Sequence, residues 1–163
     1  MNARLLGWLG VAAGVVALDQ LTKWLVLLNL PAGEVITLTS FFKLVHVYNE
    51  GAAFSFLAGH SGWQRWFFVG LALLVCGWLL HMLRQHQHET ALPIAFTFIM
   101  GGAIGNVIDR LYHGAVVDFL YFHYQQYGWP AFNLADSAIC VGVAIMLWSQ
   151  FRPHPQPARE DFK

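Results

Sequence analysis

Residues 132–151 read FNLADSAICVGVAIMLWSQF. The apolar part, Ala138 to Phe151, is too short for a bilayer core, which takes about 20 predominantly apolar residues. A span here must begin earlier, near Phe132, and carry Asp136 with it. The same argument holds at the other end of the chain. Leu5 to Leu18 is apolar but short, so a first span must run on through Asp19, Gln20 and Lys23. Residues 66–83 (WFFVGLALLVCGWLLHML) and 91–108 (ALPIAFTFIMGGAIGNVI) nearly suffice unaided. The pattern predicts an all-α membrane protein of one domain, 1–163, with four transmembrane helices at about 5–28, 64–84, 91–112 and 132–151.

Composition agrees. The chain is 57% hydrophobic and 11% charged, where a soluble domain carries about 25% charged residues. A net charge of zero and the absence of a basic stripe argue against a nucleic-acid partner. Cys76 and Cys140 lie in apolar runs without C-x-x-C or zinc spacing, and read as small buried apolar residues. Arg4 followed by LLGWLGVAAGVVAL has the outline of a secretory leader. The apolar run resumes after Lys23 as WLVLL and three more follow, which favours a retained first helix.

With both termini cytoplasmic, Arg4, Arg84, Arg152, Arg159 and Lys163 lie inside and only Lys43 and Arg65 outside, as the positive-inside rule expects. At about 1.5 Å per residue, Asp19 and Lys23 fall within roughly 10 Å of the outer surface. Asn106, Asp109 and Arg110 end the third helix, Asp118 follows it, and Asp136 sits about one turn into the fourth. A charge in the bilayer costs ~2.5–3.5 kcal/mol, so polar residues gathered at one depth predict a site.

Two outer connections flank that level. Residues 34–57, EVITLTSFFKLVHVYNEGAAFSFL, alternate β-branched and aromatic residues and predict a small β element at about 34–60, with Gly51 permitting a tight turn. Residues 116–130, VVDFLYFHYQQYGWP, crowd aromatics suited to a membrane boundary and predict a short interfacial helix or flap over 119–131. The tail, about 153–163, reads as disordered.

Two carboxyl groups close together in a poorly solvated place share one proton and titrate as a unit. Asp118 and Asp136 suit that chemistry, in which one member activates water and the other polarises a carbonyl. From spacing alone, a structural role stays open: Asp118 capping a turn and Asp136 pairing with Arg110. Proton transport is a third reading, because intramembrane carboxylates also serve relays. A relay should cross the membrane, and the inner halves of these helices hold almost no ionisable groups. Asp19 and Lys23, i and i+4 with the acid first, read as a structural pair. Asn106 and Arg110 share a helical face, as do Asn133 and Asp136, and Asn133 is also placed to cap the fourth helix. His86, His88 and Glu89 form a weak metal candidate far from these groups, and no H-E-x-x-H occurs. No metal or cofactor is expected. Gly101-x-x-x-Gly105 and Gly10-x-x-x-Gly14 read as helix-packing spacings.

Five blocks, LDQLTK at 18–23, YNEGAAFSF at 48–56, GGAIGNVIDR at 101–110, VVDF at 116–119 and FNLADSAI at 132–139, occur in one order along nearly the whole chain. In these blocks the sequence closely resembles the lipoprotein signal peptidases (signal peptidase II), aspartic peptidases of the bacterial inner membrane. The resemblance implies catalysis by Asp118 and Asp136 near the periplasmic face. It implies substrate-binding or site-supporting roles for Asn49, Gly51, Asn106, Arg110 and Asn133 around them, with Asp19 and Lys23 ordering the site. The implied substrate is a diacylglyceryl-modified prolipoprotein, cut just before its lipidated cysteine. Membrane lipids are expected as surroundings and a monomer as the working unit. The rival from another class is a proton-coupled transporter using the same carboxylates; a second is a noncatalytic assembly or lipid-binding subunit.

Overall fold

The computed structural model describes residues 3–51 and 62–151. The expected disorder of the tail, and the part of the outer β element beyond Gly51, lie outside the described residues. Four helices are present: α1 (Ala3–Asn29), α2 (Trp63–His86), α3 (Ala91–His113) and α4 (Leu134–Gln150). The first three are long and apolar enough to cross a membrane; α4 is apolar but has 17 residues.

α3 is the centre of the bundle and packs against α1, α2 and α4. Of its most apolar stretch, 61% is buried, against 17% for α1 and for α2, whose remaining apolar faces are turned outward. A helix that is apolar all round belongs in such a central position. Near its first half, Phe96, Ile99 and Met100 pack with Leu5 and Ala12 of α1 and Leu79 and Leu83 of α2. In its second half, small residues admit the neighbouring backbones. A Cβ on Gly102 would collide with the carbonyl oxygen of Ala135 in α4, and one on Gly105 would lie 2.5 Å from the carboxylate of Asp19 in α1. The expected packing role therefore holds for Gly101 and Gly105 and fails for Gly10 and Gly14, which face open space. Cys140 differs from expectation too: it is exposed on α4, while Cys76 is half-buried.

Four antiparallel strands in the order β1 (Val35–Thr37), β2 (Phe42–Asn49), β3 (Val116–Tyr124), β4 (Tyr127–Gly128) form a small sheet at one end of the bundle. The first half of the expected β element is present as β1 and β2. The segment after α3 is a correction. It is neither an interfacial helix nor a free flap: residues 116–124 are a strand paired with β2, and among the described residues no helix lies between α3 and α4. Its run of valines and aromatics fits a pleated surface better than a helix, and β2 offers the edge that satisfies its backbone.

Gly114 makes the change of direction. It caps α3 at φ 83°, its N–H bonding the carbonyl of Arg110 at 3.2 Å, a left-handed turn that glycine enters without a Cβ penalty. β3 starts two residues later, which sets Asp118 opposite Val47 and Val116 opposite Asn49. Leu120 then bridges to Phe132, so β3 delivers the chain to the start of α4.

Candidate active site

The site is built around the first turn of α4. Asn133 is its N-cap and Asp136 its third helical residue, joined as a reciprocal capping box. The Asn133 side-chain oxygen accepts from the Asp136 N–H at 2.9 Å, and the Asn133 N–H donates to Asp136 Oδ2 at 3.3 Å. The free half of the Asn133 amide turns to β3: Nδ2 donates to Asp118 Oδ1 at 2.8 Å and to the Val117 carbonyl at 3.3 Å. One residue thus touches both expected catalytic acids. Capping and orientation, open alternatives in the sequence, are both performed.

The other oxygens are held from two directions. Asn49, at the end of β2, donates to Asp118 Oδ2 at 3.0 Å. Asn106 of α3 donates to Asp136 Oδ1 at 2.8 Å. Asp118 is 2% exposed while Asp136 is half-buried. Burial, and next the negative charge of Asp136, push the Asp118 carboxyl up to about 7; the amides of Asn49 and Asn133 and the Lys23 charge pull the other way. Near neutral pH the Asp118 carboxyl therefore still carries its proton in part, beside a second carboxyl group.

Below the pair lies a charged layer. Lys23 Nζ sits 2.8 Å from Asp19 Oδ2 and 2.7 Å from Asp109 Oδ2, and donates to Asn106 Oδ1 at 3.0 Å. All three charged side chains are almost fully buried. Each carboxylate also holds a backbone N–H. Asp19 Oδ1 accepts from Ala135 at 2.9 Å, where an anion also suits the N-terminus of α4. Asp109 Oδ2 accepts from Val117, the residue before Asp118, at 3.0 Å. Gln20 closes the layer, donating to Asp109 Oδ1 at 2.8 Å and to the Gly105 carbonyl at 3.1 Å. The Asp19–Lys23 pair is present as expected, but it is one side of a triad.

Arg110 forms the flank. Its guanidinium lies 4.9 Å from the centre of the Phe68 ring and donates to the Gly51 carbonyl at 3.1 Å. Gly51 N–H in turn donates to Asn49 Oδ1 at 3.1 Å, so Arg110, Gly51 and Asn49 make a chain that ends on Asp118. No ion pair joins Arg110 to Asp136 among the described residues, where the structural reading of the sequence wanted one. The nine expected site residues all lie in this one connected assembly. Sequence reasoning set Asp109 and Gln20 at this depth but gave neither a role. The signal was available: a lysine taken below the surface with two aspartates at its depth calls for both, not one. The His86, His88 and Glu89 cluster is elsewhere and its groups are engaged singly, His86 with Glu89 at 2.7 Å and His88 with Arg4 at 2.9 Å.

An apolar helical bundle with a polar, carboxyl-bearing site at one end suits a membrane protein. The fold is similar to two solved chains described as bacterial membrane enzymes. One has a TM-score of 0.80 at 26% identity, covering 94% of each chain; the other has 0.78 at 27%, covering 91% of this chain and 94% of its own. The family model for Signal peptidase (SPase) II matches residues 11–152, and the chain belongs to that family of peptidases. A lipoprotein signal peptidase of Azoarcus sp. is 67% identical over 91% of this chain and 84% of its own length. One of Pseudoalteromonas atlantica is 52% identical over 89% and 88%. The transporter reading finds no support among these relatives.

Proposed function

We propose that this chain is an aspartic endopeptidase that removes the signal peptide from diacylglyceryl-modified prolipoproteins, cutting just before the lipidated cysteine. Membership of the signal peptidase II family and 67% identity to a lipoprotein signal peptidase support the substrate class. The observation that carries the catalytic assignment is the double engagement of Asn133, which holds Asp118 through its side chain and Asp136 through its capping box.

In this reading the reaction needs two acids with one proton between them. Asp118, the more buried, keeps the proton and donates it to the scissile carbonyl oxygen. Asp136, half-buried, faces the water and takes a proton from it as the oxygen attacks. The carbon–nitrogen bond then breaks as the leaving amine accepts that proton from Asp136. A hydroxyl of the tetrahedral intermediate returns its proton to Asp118 as the new carboxyl group forms, so both acids regain their starting state. Asn49 and Asn106 fix the two carboxyl groups from opposite sides. Gly51 and Arg110 flank the pair through the chain that ends on Asp118, where substrate backbone would lie. Asp19 and Lys23, with Asp109, hold the floor. α4 completes a fourth span, both termini are cytoplasmic, and the pair works near the periplasmic face of the bacterial inner membrane as a single-domain monomer in lipid. The inside excess of Arg and Lys supports this orientation.

The test is cleavage of a lipid-modified prolipoprotein by purified protein in detergent. Asp118→Asn and Asp136→Asn should each lower turnover by at least about 10³-fold, the scale of lost acid–base catalysis, while remaining folded. Substantial cleavage by either variant removes the dyad assignment.

A further inference from the structure

The end of α3 that carries Arg110 is held from α2 by two side chains on one face of that helix, Arg65 and Phe68, at i and i+3. Arg65 Nη2 donates to the carbonyl of Leu111, the residue after Arg110, at 2.8 Å. Phe68 meets Arg110 itself, with the guanidinium carbon over its ring and 4.9 Å from the ring centre. A cation is attracted to an aromatic face within about 6 Å. Phe68 stands outside all five of the sequence blocks, and the reaction as described above gives it no part.

Arg110 is a cation with few anchors. Nη1 reaches the Asn106 carbonyl, one turn back on its own helix, at 3.4 Å, and Nη2 donates to the Gly51 carbonyl at 3.1 Å. Nε is buried and makes no hydrogen bond among the described residues. The donors of a guanidinium are fixed in its plane, so a rotation of the group carries all of them away together. The long bond to Asn106 is a weak brake on such a rotation. The Phe68 ring adds a hold from a different helix, and its attraction is lost when the cation leaves the ring face. It therefore opposes any movement that takes Nη2 off Gly51.

What Arg110 holds bears on Asp118. Glycine has the freest backbone of any residue, yet Gly51 is engaged on both sides. Its carbonyl accepts from Arg110, and its N–H donates to Asn49 Oδ1 at 3.1 Å. The second bond decides which way the Asn49 amide faces. With Oδ1 turned to the Gly51 N–H, Nδ2 is the half that reaches Asp118 Oδ2, at 3.0 Å. A reversed or loosened amide withdraws that donor from the acid. A continuous path of contacts thus runs from the Phe68 ring through Arg110, Gly51 and Asn49 to Asp118.

We propose that Phe68 is a positioning residue for the peptidase: by keeping Arg110 over its ring, it holds Gly51 and the Asn49 amide in the arrangement that orients Asp118. The inference rests on the dyad reading and extends it to α2. Its effect on the acid has a sign. The Asn49 amide favours the charged form of Asp118, as does the charge of Lys23 from α1, while the charge of Asp136 from α4 opposes it. Arg110 of α3 and Asp118 attract each other as well. Losing the ring loosens Arg110 and Asn49 together, and both changes favour the neutral acid.

Cleavage of a lipid-modified prolipoprotein by the full chain in detergent, with kcat and kcat/KM read across pH, tests the assignment. Phe68→Leu keeps apolar bulk and removes the aromatic face. It should lower kcat about 5–20-fold and move the alkaline limb of kcat/KM to higher pH. Phe68→Tyr keeps the face and should hold both near the parent's values. Ring-fluorinated phenylalanines built in at position 68 weaken the negative face at nearly constant shape, and kcat should fall stepwise as fluorines are added. That series keeps the result readable if Phe68→Leu folds poorly. In an Arg110→Gln background Phe68→Leu should cost less than about twofold, because the ring then has no cation to hold. Trp78→Leu, which removes an exposed aromatic of α2, should leave rate and limb unchanged. A parent-like Phe68→Leu, a rate indifferent to fluorination, or an undiminished loss in the Arg110→Gln background would each overturn the proposal. Asp118→Asn is measured beside them: cleavage by it removes the dyad reading, whereas its inactivity together with any of those three outcomes sinks this inference alone.

Discussion

Asn133 donates its side-chain amide to Asp118 at 2.8 Å while capping the helix on which Asp136 lies. Helix start and carboxyl geometry are therefore one structural decision. The two roles separate by substitution. Asn133→Ser keeps a capping oxygen but lacks the amide that reaches Asp118, whereas Asn133→Ala loses both. Serine should hold the unfolding temperature near that of the parent and still lower kcat about 10–100-fold by leaving the acid unoriented. Alanine should add a stability loss of about 1 kcal/mol. Thermal unfolding beside single-turnover cleavage distinguishes them, and full activity in the serine variant would mean the amide does not position the acid.

The Asp118 proton predicts the pH profile. With the carboxyl pushed up to about 7, the proton that Asp118 donates is present below that value and lost above it. Under the proposed mechanism, kcat/KM should fall as pH rises through about 7, approaching tenfold per unit on the alkaline limb. Asn49 stabilises the charged form of Asp118, so removing its amide favours the neutral form. Asn49→Leu should move the alkaline limb to higher pH while lowering the plateau. A downward movement of that limb would contradict the hydrogen bond's assigned effect.

Much of this arrangement was legible in the sequence because membrane solvation makes length arithmetic strict. The expectation of one span that needed Asp136 for length, and of another that needed Asp19 and Lys23, pointed to those groups meeting, and they do meet at one end of the bundle. What periodicity could not supply was pairing. Asp118 faces Val47 because β2 carries an irregularity between Leu44 and Val47, and a one-residue slip would turn a strand's side chains to the other face. The run from Val116 to Tyr124 suits a strand or an interfacial helix equally by aromatic content, and only the edge of β2 decides. The partners of Asp109 escaped for a related reason. They are Lys23 and Gln20 on α1 and the Val117 N–H, contacts across elements that spacing along α3 does not reveal.

Lys23 is the cation that makes two buried carboxylates tolerable. Lys23→Met keeps approximate length and removes the charge, leaving Asp19 and Asp109 facing each other's field without compensation. Breaking one side of a buried ion pair costs about 3–5 kcal/mol, and a loss of that order should appear as a large drop in unfolding temperature in detergent. Asn106 also loses its donor from Lys23, so the grip on Asp136 loosens and turnover should fall in whatever fraction remains folded. Asp19→Asn combined with Lys23→Met relieves part of the uncompensated charge and should recover part of the stability without recovering turnover. If Lys23→Met proves as stable as the parent, the triad is not what holds this end of the bundle together.

Two glycines on neighbouring helices should respond to the same change with opposite signs. At Gly105 an added methyl would sit 2.5 Å from Asp19 Oδ2, the oxygen that pairs with Lys23. Either that carboxylate rotates away from the lysine or α1 moves off α3, and overpacking of this kind costs about 1–3 kcal/mol. Because Asp19 also holds the Ala135 N–H at the start of α4, the disturbance travels to the residue before Asp136, and cleavage should slow along with the loss of stability. At Gly10 the same methyl meets nothing within 4 Å. Gly10→Ala should therefore stabilise α1 by about 0.5–1 kcal/mol through helix propensity and leave cleavage alone. Unfolding temperatures and turnover of the two alanine variants, measured side by side, check the sign at each position. A Gly105→Ala enzyme as active and stable as the parent would show that the close approach of α1 and α3 at Asp19 is not needed for the site.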